Sequence, residues 1–289
     1  MWKPPPLSKL RYIRSEYKVA LIAIFIGFFT LVSRLPFRSK YLFTWDSVNF
    51  ALGMNDFDVI KHRPHPPGYI LYIKLAQIIN QWLHDPNATL VWISIISGIL
   101  TVILVYLYTE RRFGTTDALF ASLLTLTNPL FWFYDELALS YSLEAFFSMA
   151  IAFACYQVIG GSINWAYAGA ILLGLAGGFR QTTLLIMLPL SIYTARWIPK
   201  KHLIFSSILL LLICLAWVVP LIERSGGLAN YLLASQQLSS MVEPQPLSVI
   251  LHALLYGGHI PLLFVVGSWF GLFSPPNGWL KIWEKPFII

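Results

Sequence analysis

Six stretches of this chain are apolar over roughly the 17 to 25 residues that a helix needs to cross about 30 Å of hydrocarbon, and each is bounded by charged or polar residues. They are Val19–Leu35, Ala88–Tyr108, Asp117–Tyr134, Leu139–Ile159, His202–Ile222 and Val249–Phe273. A seventh, Ile163–Arg196, is too long for one span and is interrupted at Gly177-Gly178-Phe179-Arg180-Gln181-Thr182-Thr183, so it reads as a hairpin of two short helices. Composition agrees: 57% of the 289 residues are apolar and only 11% are charged, which excludes disordered, disulfide-scaffold and ordinary soluble classes. The expected fold is all-α, a polytopic transmembrane bundle of about eight spans forming a single domain over 1–289.

Charge sets the expected orientation. With the N-terminus in the cytoplasm and eight spans, the inner segments hold Lys3, Lys9, Arg11, Arg14, Lys18, Arg111, Arg112, Arg196, Lys200, Lys201, Lys281 and Lys285, twelve of the twenty basic residues. Counting Ile163–Arg196 as one crossing moves Lys200 and Lys201 outside, so the hairpin fits better. The formal charge of +7 does not point to nucleic acid, because the basic residues are scattered between apolar runs. Arg34, Pro36 and Arg38 follow the first run where a small-residue cleavage site would stand, which favours an uncleaved signal anchor. Cys155 and Cys214 lie inside apolar runs without a CxxC spacing and imply no metal site.

The main stretch outside the membrane is an outer loop over 36–87, long enough to need a fold or function of its own. Tyr69–Ile79 within it is apolar but short and carries Lys74, as a helix lying along the interface would. Asp46 is expected to be the N-cap of a short helix in which Val48, Ala51, Leu52 and Asn55 share a face. Placed at the lipid–water boundary beside Phe43, Trp45 and Phe50, its carboxylate would be partly desolvated and suited to act as a general base. Arg63-Pro64-His65-Pro66-Pro67-Gly68-Tyr69 is a proline-stiffened strap that holds Arg63 and His65 toward the same boundary, where cationic donors could receive a departing phosphate. Asp135 and Glu136 close an aromatic belt at the outer end of the third span, and Arg180 occupies the glycine-broken hairpin tip. An arginine near membrane depth is costly unless it is paired or serves a site.

These residues resemble the GT-C superfamily of membrane glycosyltransferases, nearest to the bacterial branch of protein O-mannosyltransferases and lipid A aminoarabinose transferases. The likeness rests on Trp45-Asp46-Ser47, His65-Pro66-Pro67-Gly68-Tyr69, Phe133-Tyr134-Asp135-Glu136 with Tyr141-Ser142-Leu143-Glu144-Ala145, and Gly177-Gly178-Phe179-Arg180-Gln181-Thr182, spanning about Thr44 to Leu190. It implies a multi-pass protein of a bacterial plasma membrane that moves a sugar from a polyprenyl-phosphate donor to a lipid, glycan or protein hydroxyl on the outer face, with inversion and no cofactor. Asp46 matches the family's base, while Arg63, His65, Tyr69, Asp135, Glu136 and Arg180 become the expected substrate contacts. Where many relatives carry a second acid beside the base, this chain has Ser47. Relatives are also longer, so a short or truncated form is expected. A lipid or solute transporter and a non-catalytic scaffold are the competing readings. A transporter needs charges at span centres to line a path, and few are present; a scaffold should tolerate the loss of Asp46.

Overall fold

The computed structural model describes residues 7–241 together with 246–249 and 251. The chain divides into two compact units, one of 1–127 with 131–242 and one of 128–130 with 243–289. The eighth expected span, Val249–Phe273, lies almost wholly outside the described residues. Everything below concerns the first unit.

That unit is helical. Its elements are α1 (Leu7–Arg34), α2 (Trp45–Asn55), α3 (Ile70–Leu83), α4 (Pro86–Phe113), α5 (Thr115–Thr127), all of α6 (Pro129–Asp135) but its first two residues, α7 (Tyr141–Ile159), α8 (Trp165–Phe179), α9 (Gln181–Thr194), α10 (Lys200–Arg224) and α11 (Leu228–Met241). Among the described residues four helices are long and apolar enough to cross a membrane: α1 over Glu16–Arg34, α4, α7 and α10. Helices α5, α8 and α9 run among these but are shorter, with 13, 15 and 14 residues.

Local sequence explains the boundaries. Helix α4 starts where the Asp85 side chain accepts from the Ala88 amide and Pro86 supplies a ready-made first turn; it stops at Gly114, with φ of 102° and Arg111 and Arg112 in the last turn. The expected hairpin over Ile163–Arg196 is present as α8 and α9, but the glycines do not break it. The break is Arg180, whose backbone is extended (φ −157°, ψ 113°). Gly177 and Gly178 stay helical because a Cβ there would collide with Leu184, Leu71 and Trp217, so their role is close packing of α8 on α3, α9 and α10.

Burial follows lipid, not water. Within their apolar windows α1 and α10 are only 17% and 11% buried, leaving Leu21, Phe25, Phe28, Ile204, Leu211 and Leu212 facing outward, as a lipid solvent permits. The main core lies elsewhere, around Phe50, Tyr72, Ile73, Leu90, Ile95 and Ile151 of α2, α3, α4 and α7. The Ser94 hydroxyl, 2.7 and 2.8 Å from the carbonyls of Leu137 and Leu139, fixes the turn entering α7 against α4. Polar side chains gather at the end of the unit where α3, α7 and α9 begin.

Candidate active site

Helix α2 presents the first functional group. Its N-cap is Thr44, not Asp46: the Thr44 hydroxyl accepts from the Ser47 amide at 3.1 Å and sits 2.9 Å from the Ser47 hydroxyl. Asp46 is displaced into the first turn, where its carboxylate still meets the positive end of the helix but is free of capping. The buried face also differs from the expected one. Ser47, Phe50, Ala51 and Met54 point inward at i, i+3, i+4 and i+7, whereas Leu52 and Asn55 are exposed; the cap stands two residues earlier than expected.

Asp46 is 41% exposed, and its Oδ1 lies 3.7 Å from Nδ1 of His65. This is an electrostatic contact, too long for a hydrogen bond. The imidazole packs 5.6 Å from the Phe50 ring and 5.1 Å from Tyr69, between centroids, and Nδ1 has no hydrogen-bond partner among the described residues. Burial lowers the His65 pKa below its ordinary 6.5, with His62 and Arg180 adding to the effect and Asp46 opposing it. The ring is therefore neutral at pH 7 and offers one N–H rather than the imidazolium expected from sequence. Tyr69 enters α3 with φ of 44°, and burial pushes its phenol up to about 12, so it remains a protonated donor.

Across from these stands Arg180. Its Nε lies 3.0 Å from Glu144 Oε2 and donates to the Thr182 hydroxyl at 3.1 Å; Nη1 donates to Ser140 at 3.0 Å; and the Thr182 hydroxyl donates to Glu144 Oε1 at 3.2 Å. The guanidinium covers the Tyr141 ring at 4.3 Å and approaches Tyr69 at 6.0 Å. Tyr141 also hydrogen-bonds the guanidinium through its side chain. The strap is tied to the same place, because the Gln181 side chain donates to the Pro67 carbonyl at 3.0 Å. His65 and Tyr69 both feel the charges of Asp46 and Arg180, so the four groups form one electrostatic neighbourhood.

Three other expected contacts are placed differently. Arg63 pairs with Asp56 at 3.1 Å, at the opposite end of α2 from Asp46. Asp135 is fully buried and receives Arg34 Nε at 3.1 Å, while Arg34 also donates to the Leu126 carbonyl and stacks 4.3 Å from the Trp132 ring centre. Gly98 of α4 makes room for this carboxylate, which a Cβ there would strike. Glu136 is 9% exposed, and its backbone carbonyl holds the Ser39 amide at 2.9 Å. The sequence showed Tyr141 and Glu144 within the family likeness and Arg34 at the end of the first span, but gave none of the three a place in the site. The signal for Glu144 was legible: it is the only acid between Glu136 and Glu223.

A lipid-facing helical bundle with an accessible carboxylate, a neutral imidazole and a braced guanidinium gathered at one end describes a membrane protein with a polar cluster at one end. The chain belongs to the dolichyl-phosphate-mannose-protein mannosyltransferase family, whose sequence pattern matches residues 64–222, more than half of it. It is a family of transmembrane glycosyltransferases. The match takes in His65, Tyr69 and Arg180 and begins after Asp46 and Arg63. No curated protein and no solved structure matches the chain.

Proposed function

We propose that this protein transfers a sugar from a polyprenyl-phosphate donor to a hydroxyl acceptor at the outer face of the membrane, with inversion. The observation that carries the reading is the pairing of an accessible, uncapped carboxylate, Asp46, with a fixed guanidinium, Arg180, across neutral His65 and Tyr69. In one displacement the acceptor oxygen bonds to the anomeric carbon and gives its proton to Asp46, while the bond from that carbon to the phosphate oxygen breaks. A lipid phosphate is already a good leaving group, so the cation needs only to stabilise charge and no general acid is required. Arg180 supplies that charge, Tyr69 and the His65 N–H orient the sugar or phosphate, and Glu144 holds the guanidinium in position. Asp135 belongs to the support of the site through Arg34, Arg63 to the connection between α2 and α3 through Asp56, and Glu136 to the turn between α6 and α7, where its carbonyl holds the Ser39 amide.

The test is transfer from labelled polyprenyl-phosphate sugars into membrane extract by purified protein, comparing wild type with Asp46→Asn at equal folded amounts. Loss of the base is expected to lower the rate by roughly 10² to 10⁴. Because Thr44 supplies the cap, stability should change by less than about 1 kcal/mol, the upper range of an exposed helix-end charge. Near wild-type turnover in the Asn variant would refute the assignment.

A further inference from the structure

The opposite end of the same helices holds a second feature that sugar transfer does not use. Helices α7, α8, α9 and α10 surround a half-open cavity of about 150 Å³, lined by Ala166, Ala170, Leu173, Leu188, Ile192 and Leu210 among others. Its hydroxyl groups do not make it polar. Ser191 donates to Met187, Thr194 to Leu190 and Ser206 to Leu203, all within their own helices, so three of the four hydroxyl donors of the wall, Ser207 being the fourth, are spent on backbone. Apolar cavities of this size stay dry and take up hydrocarbon.

The mouth is the reverse. Lining residues Ala195, Ile198 and Leu203 alternate along the chain with Arg196, Lys200 and Lys201, all three exposed. Among the described residues none of the three has a carboxylate partner, and no Asp or Glu occurs anywhere between Glu144 and Glu223, the segment that builds the cavity. Arg196 lies 4.3 Å over the Tyr193 ring, and Trp197 packs 5.1 Å from the same ring, a pairing typical of the headgroup level of a bilayer. His202, the remaining basic group, is occupied by the Tyr167 hydroxyl at 2.8 Å.

An uncompensated triple cation beside a mostly apolar slot between helices has the chemistry of an anionic phospholipid: a phosphate for the guanidinium and ammonium groups, a segment of an acyl chain for the cavity. We propose that a membrane phospholipid with a net negative headgroup binds here, its phosphate on Arg196, Lys200 and Lys201 and one acyl chain between α8, α9 and α10. The site is separate from the Asp46–Arg180 end and does not depend on the sugar-transfer reading.

The experiment uses the full chain, purified in detergent and delipidated, with dioleoyl-phosphatidylglycerol and dioleoyl-phosphatidylcholine as probes and retained lipid counted by native mass spectrometry. One phosphatidylglycerol per chain should be retained in preference to phosphatidylcholine. The variant carrying Arg196→Gln, Lys200→Gln and Lys201→Gln, all at exposed positions, should lose about a hundredfold of that preference, given the contribution of each basic group near an anionic surface. Ala170→Leu, which fills the cavity and leaves the cations intact, should weaken both lipids together, and circular dichroism melts establish that each variant is folded. Equal retention of the two lipids by the wild type, an unchanged preference in the triple Gln variant, or displacement of phosphatidylglycerol by millimolar inorganic phosphate would each overturn the proposal.

Discussion

Arg180 shows how one residue can be both braced and available. Glu144, Thr182 and Ser140 occupy Nε and Nη1, and Tyr141 supports the planar face, which removes rotamer freedom before any substrate arrives. Lysine at this position keeps the charge but has no fork to divide between brace and ligand. Arg180→Lys is therefore expected to lower kcat/KM for the lipid-phosphate sugar by about 10- to 100-fold, the worth of one charge-assisted hydrogen bond, with folded yield near wild type. A parallel fall in yield and activity would make Arg180 a structural residue. Glu144→Gln keeps one acceptor for the guanidinium while removing the countercharge and the second acceptor, so it should cost less than Arg180→Lys in the same assay. His65 gives the site a pH signature of its own. Its folded pKa lies below its ordinary 6.5, so the unfolded chain takes up a proton first as pH falls. Stability is then full above about 6.5 and declines below it, and melting temperatures from pH 7.5 to 5 should show that decline in the wild type and a shallower one in His65→Gln. Identical slopes would mean that the imidazole is solvated.

At the scale of helices, Arg34 and Asp135 clamp the end of α1 to the end of α6 beside α4. Both side chains are fully buried, so removing one leaves the other charge uncompensated. Asp135→Ala should destabilise the protein by about 3 to 5 kcal/mol, read as a lowered melting temperature in detergent, whereas Arg34→Met with Asp135→Leu should recover most of it. A loss below about 1 kcal/mol would show that Arg34 reaches water in the single variant. This clamp was hidden in the sequence because the two residues are 101 positions apart and each has a plausible local reading, a charge flanking a span and an acid ending an aromatic belt. Local signals did better. Asp85-Pro86 before α4 and Gly114 after it mark a helix by their own chemistry. The division of Ile163–Arg196 was legible from its length, but its cause was not: two adjacent glycines suggest a break, and only the packing of Leu71 and Trp217 shows them to be spacers. The register of α2 was misread for a similar reason, since Thr44 and Asp46 are both good caps and the bond to the Ser47 amide decides between them.

For the molecule as a whole, the open question of arrangement is which end faces which side. Within the first unit α8 and α10 run in the same direction, with the Tyr167–His202 contact near their starts and Trp217 donating to the Gly174 carbonyl near their ends, so α9 returns between them. Helices α4 and α7 also run together, joined by Ser94 to Leu139 at one end and Tyr108 to Tyr156 at the other. These pairs put Asp46, His65, Glu144 and Arg180 at one end of the unit, and Arg111, Arg112, Arg196, Lys200 and Lys201 at the other. The basic excess at the second end is what a cytoplasmic face carries. It predicts that single cysteines at Ser39, on the site end, are labelled by an impermeant maleimide in intact cells, and that one at Lys201 is labelled only after the membrane is opened, in a background with Cys155 and Cys214 replaced. Short helices such as α8 and α9 can cross only if the bilayer thins or their ends are covered by protein, so the label at position 201 tests the hairpin as well as the orientation. Labelling of position 201 from outside would show that α8 and α9 do not both cross, and labelling of Ser39 only after opening would place the Asp46–Arg180 site on the cytoplasmic side.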